Sequence, residues 1–134
     1  MYLPENTILA SGPVIIENGK VLLDRESDKN NSEREKLWMF PGGAVEKFDI
    51  TLEETCRREA REEMGIEIKI LKPLRTIMAK RPDAKGLVIL VHYLAEKIGE
   101  IKPGDEIKEW GWFNIYNLPT NCAPNVYDII NDLK

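Results

Sequence analysis

Residues 57–66 read RREAREEMGI, and the positions of their acids decide how the rest of the chain is interpreted. The acids are Glu59, Glu62 and Glu63, and they crowd the last turn before Gly65. The C-terminal end of a helix carries partial negative charge, so each acid there costs a few tenths of a kcal/mol or more. We infer that some requirement other than helix stability placed them in this turn.

The segment that contains this stretch is predicted to be a helix over residues 52–64. Thr51 and Glu54 have the spacing of a capping box, in which the two residues satisfy backbone amides of the first turn. Gly65 supplies the left-handed residue that commonly ends a helix. The prediction therefore has a defined start and a defined stop.

Helical periodicity predicts where the three glutamates point. At about 100° per residue, Glu63 falls inside the apolar stripe of the helix, Glu59 at its edge and Glu62 just beyond. The stripe itself consists of Leu52, Cys56, Ala60 and Met64. Side chains three and four residues apart are neighbours on a helix, so the three carboxylates should lie close together.

Clustered carboxylates beside a buried face repel one another and lose solvation. A hard divalent cation such as Mg²⁺ or Mn²⁺ relieves both problems, because it takes carboxylate oxygens as ligands. The alternative is a solvated helix with Glu–Arg pairs, since three arginines are interleaved with the acids: Arg57, Arg58 and Arg61.

Residues 42–66, GGAVEKFDITLEETCRREAREEMGI, resemble the Nudix box, the MutT-type signature. That pattern is Gly, five residues, Glu, seven residues, then Arg-Glu-apolar-x-Glu-Glu-x-Gly-apolar. The second half matches completely from Arg58 to Ile66. In the first half, Gly43 leads to Asp49 in place of the usual Glu, and one extra residue separates Asp49 from Arg58. The departure concerns the role of Asp49, which in the family is an acid near the box arginine.

The resemblance implies an α+β fold, a Nudix-type α/β/α sandwich with a mixed β-sheet. It also implies hydrolysis of a nucleoside diphosphate linked to a group X with Mg²⁺ or Mn²⁺ as cofactor. Arg58 is expected to orient the glutamates rather than to touch substrate. The implied metal ligands are Glu59, Glu62, Glu63 and the carbonyl of Gly42, and the catalytic candidates are Glu62, Arg58 and Glu106.

Two late acids compete for the role of an additional ligand or general base. Both lie in DEIKEWGWF, residues 105–113, where positions three apart in a strand project to opposite faces. Glu106 lies beside Gly104 and outside the apolar run, so we favour it. Glu109 abuts that run and is expected to pair with a neighbour on another strand.

Other residues are weaker substrate-binding candidates. Arg25 could meet a phosphate or form a surface salt bridge, and Asn121 or Asn125 could read a base edge or act as turn and cap residues. His92 is expected to be a packed core residue. The aromatic residues expected in the core, one of which could stack on a base, are Trp38, Phe40 and Trp110.

The remaining chain is predicted to be mostly strands. Asn18-Gly19 indicates a hairpin, LWMFPGG over 37–43 a short strand, and PNVYDIINDLK over 124–134 a helix with Asn125 as a cap. Two further strands, 66–81 and 86–98, are expected around a turn at PDAKG, residues 82–86.

Composition limits the classes of function. With 134 residues we expect one domain, 1–134, and a net charge of −4 argues against a binder of nucleic-acid polymers. Cys56 and Cys122 show no metal or disulfide spacing, and neither a signal peptide nor a transmembrane run is visible. We expect a cytoplasmic monomer or homodimer with no membrane partner.

The expected function is that of a pyrophosphohydrolase on a small nucleotide substrate. A nucleoside triphosphate, oxidised or not, is the leading expectation, because the short chain leaves no room for an added recognition domain. ADP-ribose, other nucleotide sugars and dinucleoside polyphosphates stay open. The rival from another class is a Nudix-fold module that binds nucleotides without catalysis, against which the full set of helix glutamates argues.

Overall fold

The computed structural model describes residues 3–80 and 86–134. The elements in chain order are β1 (Ile8–Glu17), β2 (Lys20–Glu26), a short 3-10 helix (Arg34–Lys36), β3 (Gly43–Ala44), α1 (Leu52–Met64), β4 (Glu67–Pro73), β5 (Ile77–Lys80), β6 (Leu87–Ile98), β7 (Ile107–Asn114) and α2 (Pro124–Leu133). Within the described ranges, neither α-helix combines the length and apolar character needed to cross a membrane.

The strands form one mixed sheet in the order β4-β6-β1-β2-β7, with β3 paired to β1 and β5 paired to β6. The β1–β6 pair is parallel, and the other pairs are antiparallel. β1 and β2 are joined by the predicted hairpin turn, in which Asn18 and Gly19 both have positive φ. The central strand β1 therefore comes from the first residues of the chain, whereas its parallel neighbour β6 is Leu87–Ile98.

Both faces of the sheet are covered by a helix. Side chains alternate along a strand, so Val14 joins the cluster that packs under α2, whereas Ile15 joins the cluster under α1. On β2, Leu22 faces α1 and Leu23 faces α2 in the same way. This arrangement confirms the predicted α/β/α sandwich with a mixed sheet.

Helix α1 has the predicted ends. The Thr51 hydroxyl accepts a hydrogen bond from the Glu54 amide at 3.1 Å, and Gly65 ends the helix with φ of 65°. The Glu54 carboxylate reaches back one residue further than a capping box requires, since it accepts the amide of Ile50 at 3.0 Å. The cap therefore ties the preceding loop to the first turn.

The loop between β6 and β7 is fastened to the C-terminal end of α1. The Lys102 amide donates to the Met64 carbonyl at 2.8 Å, and the Gly104 amide donates to the Glu63 carbonyl at 2.9 Å. A Cβ at Gly104 would lie 2.5 Å from the Glu62 carbonyl oxygen, so only glycine permits this approach. The contact brings the start of β7 next to the glutamates of α1.

Some predicted elements differ in the structure. Trp38 and Met39 form only single bridges, and the short strand lies at Gly43–Ala44 because the Pro-Gly turn intervenes. The strand predicted over 66–81 is interrupted between β4 and β5. The turn predicted at 82–86 lies outside the described residues except for Gly86.

Two side-chain predictions were wrong. Asn125 does not cap α2, because Ala123 is the N-cap residue and Pro124 begins the helix. Trp110 is 37% exposed rather than in the core. The reason is that β7 ends the strand order, so that among the described strands it has a neighbour, β2, on one side only.

Replacing the α1 cap residue provides a test of this helix boundary. Thr51→Ala should lower the free energy of unfolding by about 1 kcal/mol, because the Glu54 amide loses its acceptor. Urea unfolding of both proteins measures the difference. Thr120→Ala, the same chemical change at an exposed turn residue, is the control, and an equal loss in both variants would contradict the cap assignment.

Candidate active site

The three glutamates of α1 differ in exposure as the helical periodicity predicts. Glu63 is 2% exposed, the Glu59 side chain 12% and the Glu62 side chain 54%. The buried carboxylate of Glu63 accepts a hydrogen bond from the Gly42 amide at 2.6 Å. The structure therefore brings Gly42 to the site through its amide, and the predicted role of its carbonyl as a ligand stays a prediction.

Arg58 connects the acids to one another. Its guanidinium donates to Glu59 at 2.9 Å, to Glu62 at 3.1 Å and to the Ala44 carbonyl at 3.0 Å. The Nε and Nη2 atoms donate to the two oxygens of Asp49 at 3.1 and 2.9 Å. Such charge-assisted bonds fix direction as well as distance, and the role of Arg58 in orienting the glutamates stays a prediction.

Asp49 reaches Arg58 despite the departure from the family pattern. The Arg58 guanidinium is the main reason that the pKa of Asp49 lies well below its usual value, followed by the amide of Glu46. The Thr55 hydroxyl also donates to Asp49 at 2.9 Å. The inserted residue and the shorter acid therefore leave this contact intact.

Close backbone approach makes room for Glu59. A Cβ on Gly43 would lie 2.4 Å from Glu59 Oε1, so the space that a side chain would fill is taken by the carboxylate. Burial raises the pKa of Glu59, and the neighbouring Arg58 opposes that shift. The PGG turn and the helix thus form one wall of the site.

Two further acids belong to this region and were missed by the sequence analysis. Asp24 and Glu26, at the end of β2, each place a carboxylate oxygen within 4.8 Å of one on Glu63 and of each other. We call these three residues the β2 acid cluster. The sequence did carry a signal for them. Leu22, Asp24 and Glu26 are each two residues apart on one strand, so their side chains share a face, which is the face toward α1.

Burial dominates the electrostatics of the β2 acid cluster. Desolvation raises the pKa of Glu63 strongly, and the negative charges of Glu26 and Asp24 raise it further. The pKa of Asp24 is raised by burial first, then by Glu26, with a smaller contribution from Glu106. The cluster is therefore a place where negative charge is disfavoured in the absence of a compensating cation.

Glu106 and Glu109, the two candidate acids late in the chain, have different neighbours in the structure. Glu106 lies near enough to Asp24 and Glu26 to raise their pKa values through its charge, after larger effects led by burial. Glu109 is opposite Arg25 across β2 and β7 and forms an ion pair with it. The predicted pairing of Glu109 with a strand neighbour is confirmed.

The predicted substrate-binding residues Arg25 and Asn121 make their contacts outside α1. Arg25 stacks over Trp38 at 5.1 Å, and Trp38 packs against the cluster under α2, on the opposite face of the sheet from the β2 acid cluster. The Asn121 amide group donates to the Lys36 carbonyl at 2.7 Å, and its backbone oxygen accepts from the Trp38 amide. Substrate binding by Arg25 or Asn121 stays a prediction.

The side chains of His92 and Asn125 are in hydrogen-bond contact. His92 is 4% exposed and packs against Phe40, as expected for a core histidine. Its Nδ1 lies 2.9 Å from the Arg75 carbonyl, and its Nε2 lies 3.1 Å from the Asn125 amide nitrogen. Asn125 would have to leave this contact in order to read a base.

Comparison with known proteins identifies the class to which this fold and site belong. The family model of the NUDIX domain matches residues 8–133, which is nearly the whole chain. The chain belongs to the NUDIX family. The resemblance that rested on residues 42–66 is therefore confirmed over the full sheet and both helices.

Individual relatives agree with this assignment. An ADP-ribose pyrophosphatase of Methanocaldococcus jannaschii is 34% identical over 107 residues, which cover 79% of this chain and 61% of that protein. A MutT NUDIX hydrolase from Burkholderia pseudomallei superposes with a TM-score of 0.85 at 22% identity, over 97% of this chain and 100% of that chain. A MutT protein from Methanosarcina mazei superposes with a TM-score of 0.82 at 22% identity, over 98% and 95%. The two structures show a shared fold.

The contact between Asp49 and Arg58 predicts a pH-dependent contribution to stability. Because the folded pKa of Asp49 lies below its usual value of 3.8, the stabilisation is present above that value and is lost as the pH falls below it. Asp49→Asn should therefore lower the melting temperature at pH 7, and the difference from the unmodified protein should shrink as the pH falls below 3.8. Calorimetry across this range measures it, and a difference that is constant with pH would exclude the ionic contact.

Proposed function

We propose that the protein is a divalent-metal-dependent pyrophosphohydrolase acting on a nucleoside diphosphate linked to a group X. The observation that carries the proposal is the buried Glu63 carboxylate, 2% exposed, beside Glu59 and Glu62, both of which Arg58 holds in place. Placing acids against an apolar helix face lowers stability, and such local conflicts occur at functional sites.

The residues present fit a hard cation. Carboxylate oxygens are the ligands that Mg²⁺ and Mn²⁺ take, and the missing Cβ of Gly43 leaves space for the Glu59 carboxylate. The residues that would hold the metal are Glu59, Glu62, Glu63 and the carbonyl oxygen of Gly42. When bound, the ion polarises the phosphoryl oxygens and lowers the pKa of a water molecule that serves as nucleophile.

The side chains of the chain itself orient the reactants and move the proton. Arg58 keeps Glu59 and Glu62 aimed at the site and does not touch substrate. Glu106, on the loop fastened to α1, is the candidate base that accepts the proton of the attacking water. The water oxygen forms a bond to phosphorus, and the bond from that phosphorus to the bridging oxygen breaks, which yields two phosphate products.

Two substrates have specific support. A nucleoside triphosphate is the substrate expected from the sequence, and its cleavage gives a monophosphate and pyrophosphate. ADP-ribose is supported by the 34% identical relative named as an ADP-ribose pyrophosphatase, and its cleavage gives AMP and ribose 5-phosphate.

A substrate panel tests the function directly. We expect hydrolysis of a nucleotide pyrophosphate bond with Mg²⁺ or Mn²⁺, loss of activity in chelator, and recovery when Mg²⁺ is restored. The panel contains nucleoside triphosphates, an oxidised purine triphosphate, ADP-ribose, a nucleotide sugar and a dinucleoside polyphosphate, with products separated by chromatography. Full activity in chelator contradicts the metal requirement, and tight binding without turnover favours the non-catalytic module.

The late acids are distinguished by a matched pair of substitutions. Glu106→Gln should lower kcat by about 10²-fold, the scale expected for losing one well-placed charged group, with little change in melting temperature. Glu109→Gln should lower kcat less, because Glu109 is paired with Arg25 on the other face. Steady-state kinetics and thermal unfolding measure both variants, and a larger kcat loss in a folded Glu109→Gln protein would reverse the assignment.

A further inference from the structure

Asp24 is a buried acid near the end of β2. Its side chain is 0% exposed, and neither carboxylate oxygen has a hydrogen-bond partner within residues 3–80 and 86–134. Buried polar groups in proteins are almost always hydrogen-bonded, and a buried carboxylate is the costliest kind to leave unsatisfied. The fold therefore places in its interior a ligand-type group that the described protein atoms do not satisfy.

The backbone holds Asp24 firmly in this position. Its amide and carbonyl are bonded to Met39 at 2.8 and 2.9 Å, and β7 pairs with it on the other side through Trp110. The strand alternation directs Asp24 and Glu26 toward α1, where Glu63 projects from the apolar stripe. The three carboxylates approach within 4.8 Å, although the pairing of β2 with β7 shifts register between Arg25 and Glu26.

The described cationic side chains near the β2 acid cluster do not balance its charge. Arg34 Nη2 lies 3.7 Å from Glu26 and also contacts Asp28, and its side chain is 35% exposed. Arg58 is engaged by acids elsewhere, and Arg25 is paired with Glu109 on the opposite face. Within residues 3–80 and 86–134, the partly exposed guanidinium of Arg34 thus faces three carboxylates, with Glu106 as a further acid nearby.

We propose that Asp24 and Glu26 of β2 are ligands of a divalent cation that they share with Glu63. The donor set is made of hard carboxylate oxygens from three separate side chains, which suits Mg²⁺ or Mn²⁺. The Gly42 amide donates to Glu63 Oε1 at 2.6 Å, and one carboxylate oxygen of Glu63 lies within 4.8 Å of one on Asp24 and of one on Glu26. Glu26 is 14% exposed, so the cluster opens toward solvent on its side, and water can complete the coordination.

This site adds ligands from β2 to those that the NUDIX motif places on α1. The proposed site rests on the proposed function only for the choice of cation, since it concerns metal binding and not hydrolysis. The competing arrangement is a set of carboxyl groups that share protons and bind no ion. The two arrangements differ in whether removing one β2 acid changes metal affinity.

The experiment measures binding of Mn²⁺ to the metal-free protein, by titration calorimetry and by electron paramagnetic resonance of the free ion. Asp24→Asn and Glu26→Gln should each remove one Mn²⁺ from the stoichiometry or weaken its binding at least about tenfold. Glu109→Gln is the matched control, because it also removes one negative charge near β2 but from the opposite face. Its Mn²⁺ binding should equal that of the unmodified protein.

Thermal unfolding provides an independent measurement. Without metal, Asp24→Asn should melt at the same temperature as the unmodified protein or higher, since a buried acid is removed. Saturating Mn²⁺ should raise the melting temperature of the unmodified protein and of Glu109→Gln more than that of Asp24→Asn or Glu26→Gln. If Asp24→Asn fails to fold, the partly exposed Glu26→Gln decides the question.

Unchanged Mn²⁺ affinity and stoichiometry in folded Asp24→Asn and Glu26→Gln would overturn the proposal and identify the cluster as proton-sharing. Equal weakening in Glu109→Gln would also overturn it, because the effect would then be one of general charge. Failure of the proposed function has a different signature, in which Mn²⁺ binds through Asp24 and Glu26 but no nucleotide in the panel is hydrolysed.

Discussion

The structure depends on one electrostatic conflict, the placement of the Glu63 carboxylate within the apolar stripe of α1. Against the sheet this carboxylate loses its water, and at the helix C-terminus it also meets the negative end of the helix dipole. Backbone amides of the surrounding elements partly compensate the negative charge of this helix turn. The Gly42 amide bonds the carboxylate, and the amides of Lys102 and Gly104 bond the carbonyls of the same turn.

Arg58 compensates the negative charge of the two more exposed acids of α1, Glu59 and Glu62. It is the point at which the PGG turn, the loop before α1 and the helix itself are joined, through Ala44, Asp49 and Glu59. A lysine could not make these contacts together, because it lacks the planar fork of donors. Arg58 therefore joins two of the acids, Glu59 and Glu62, to the loop that precedes α1.

Much of the fold and part of the site were predictable because their determinants are local. The hairpin at Asn18-Gly19, the bounds of α1 and the buried position of Glu63 all follow from turn chemistry, capping and helical periodicity. Long-range pairing was not predictable in this way. The bridge of Met39 with Asp24 and the parallel pairing of β1 with β6 join residues far apart in the chain.

The sequence by itself determined the family and the helix that carries the acids, and it predicted the metal ligands from the motif. Only the tertiary structure decided that Asp24 and Glu26 face Glu63, that Glu109 is occupied by Arg25 and that Trp110 stays partly exposed. The physical reason is that periodicity assigns each side chain to a face of its own element, whereas the neighbour it meets there depends on strand order and register. Trp110 is partly exposed because its strand, β7, lies at the edge of the sheet. The register between β2 and β7 places Arg25 opposite Glu109.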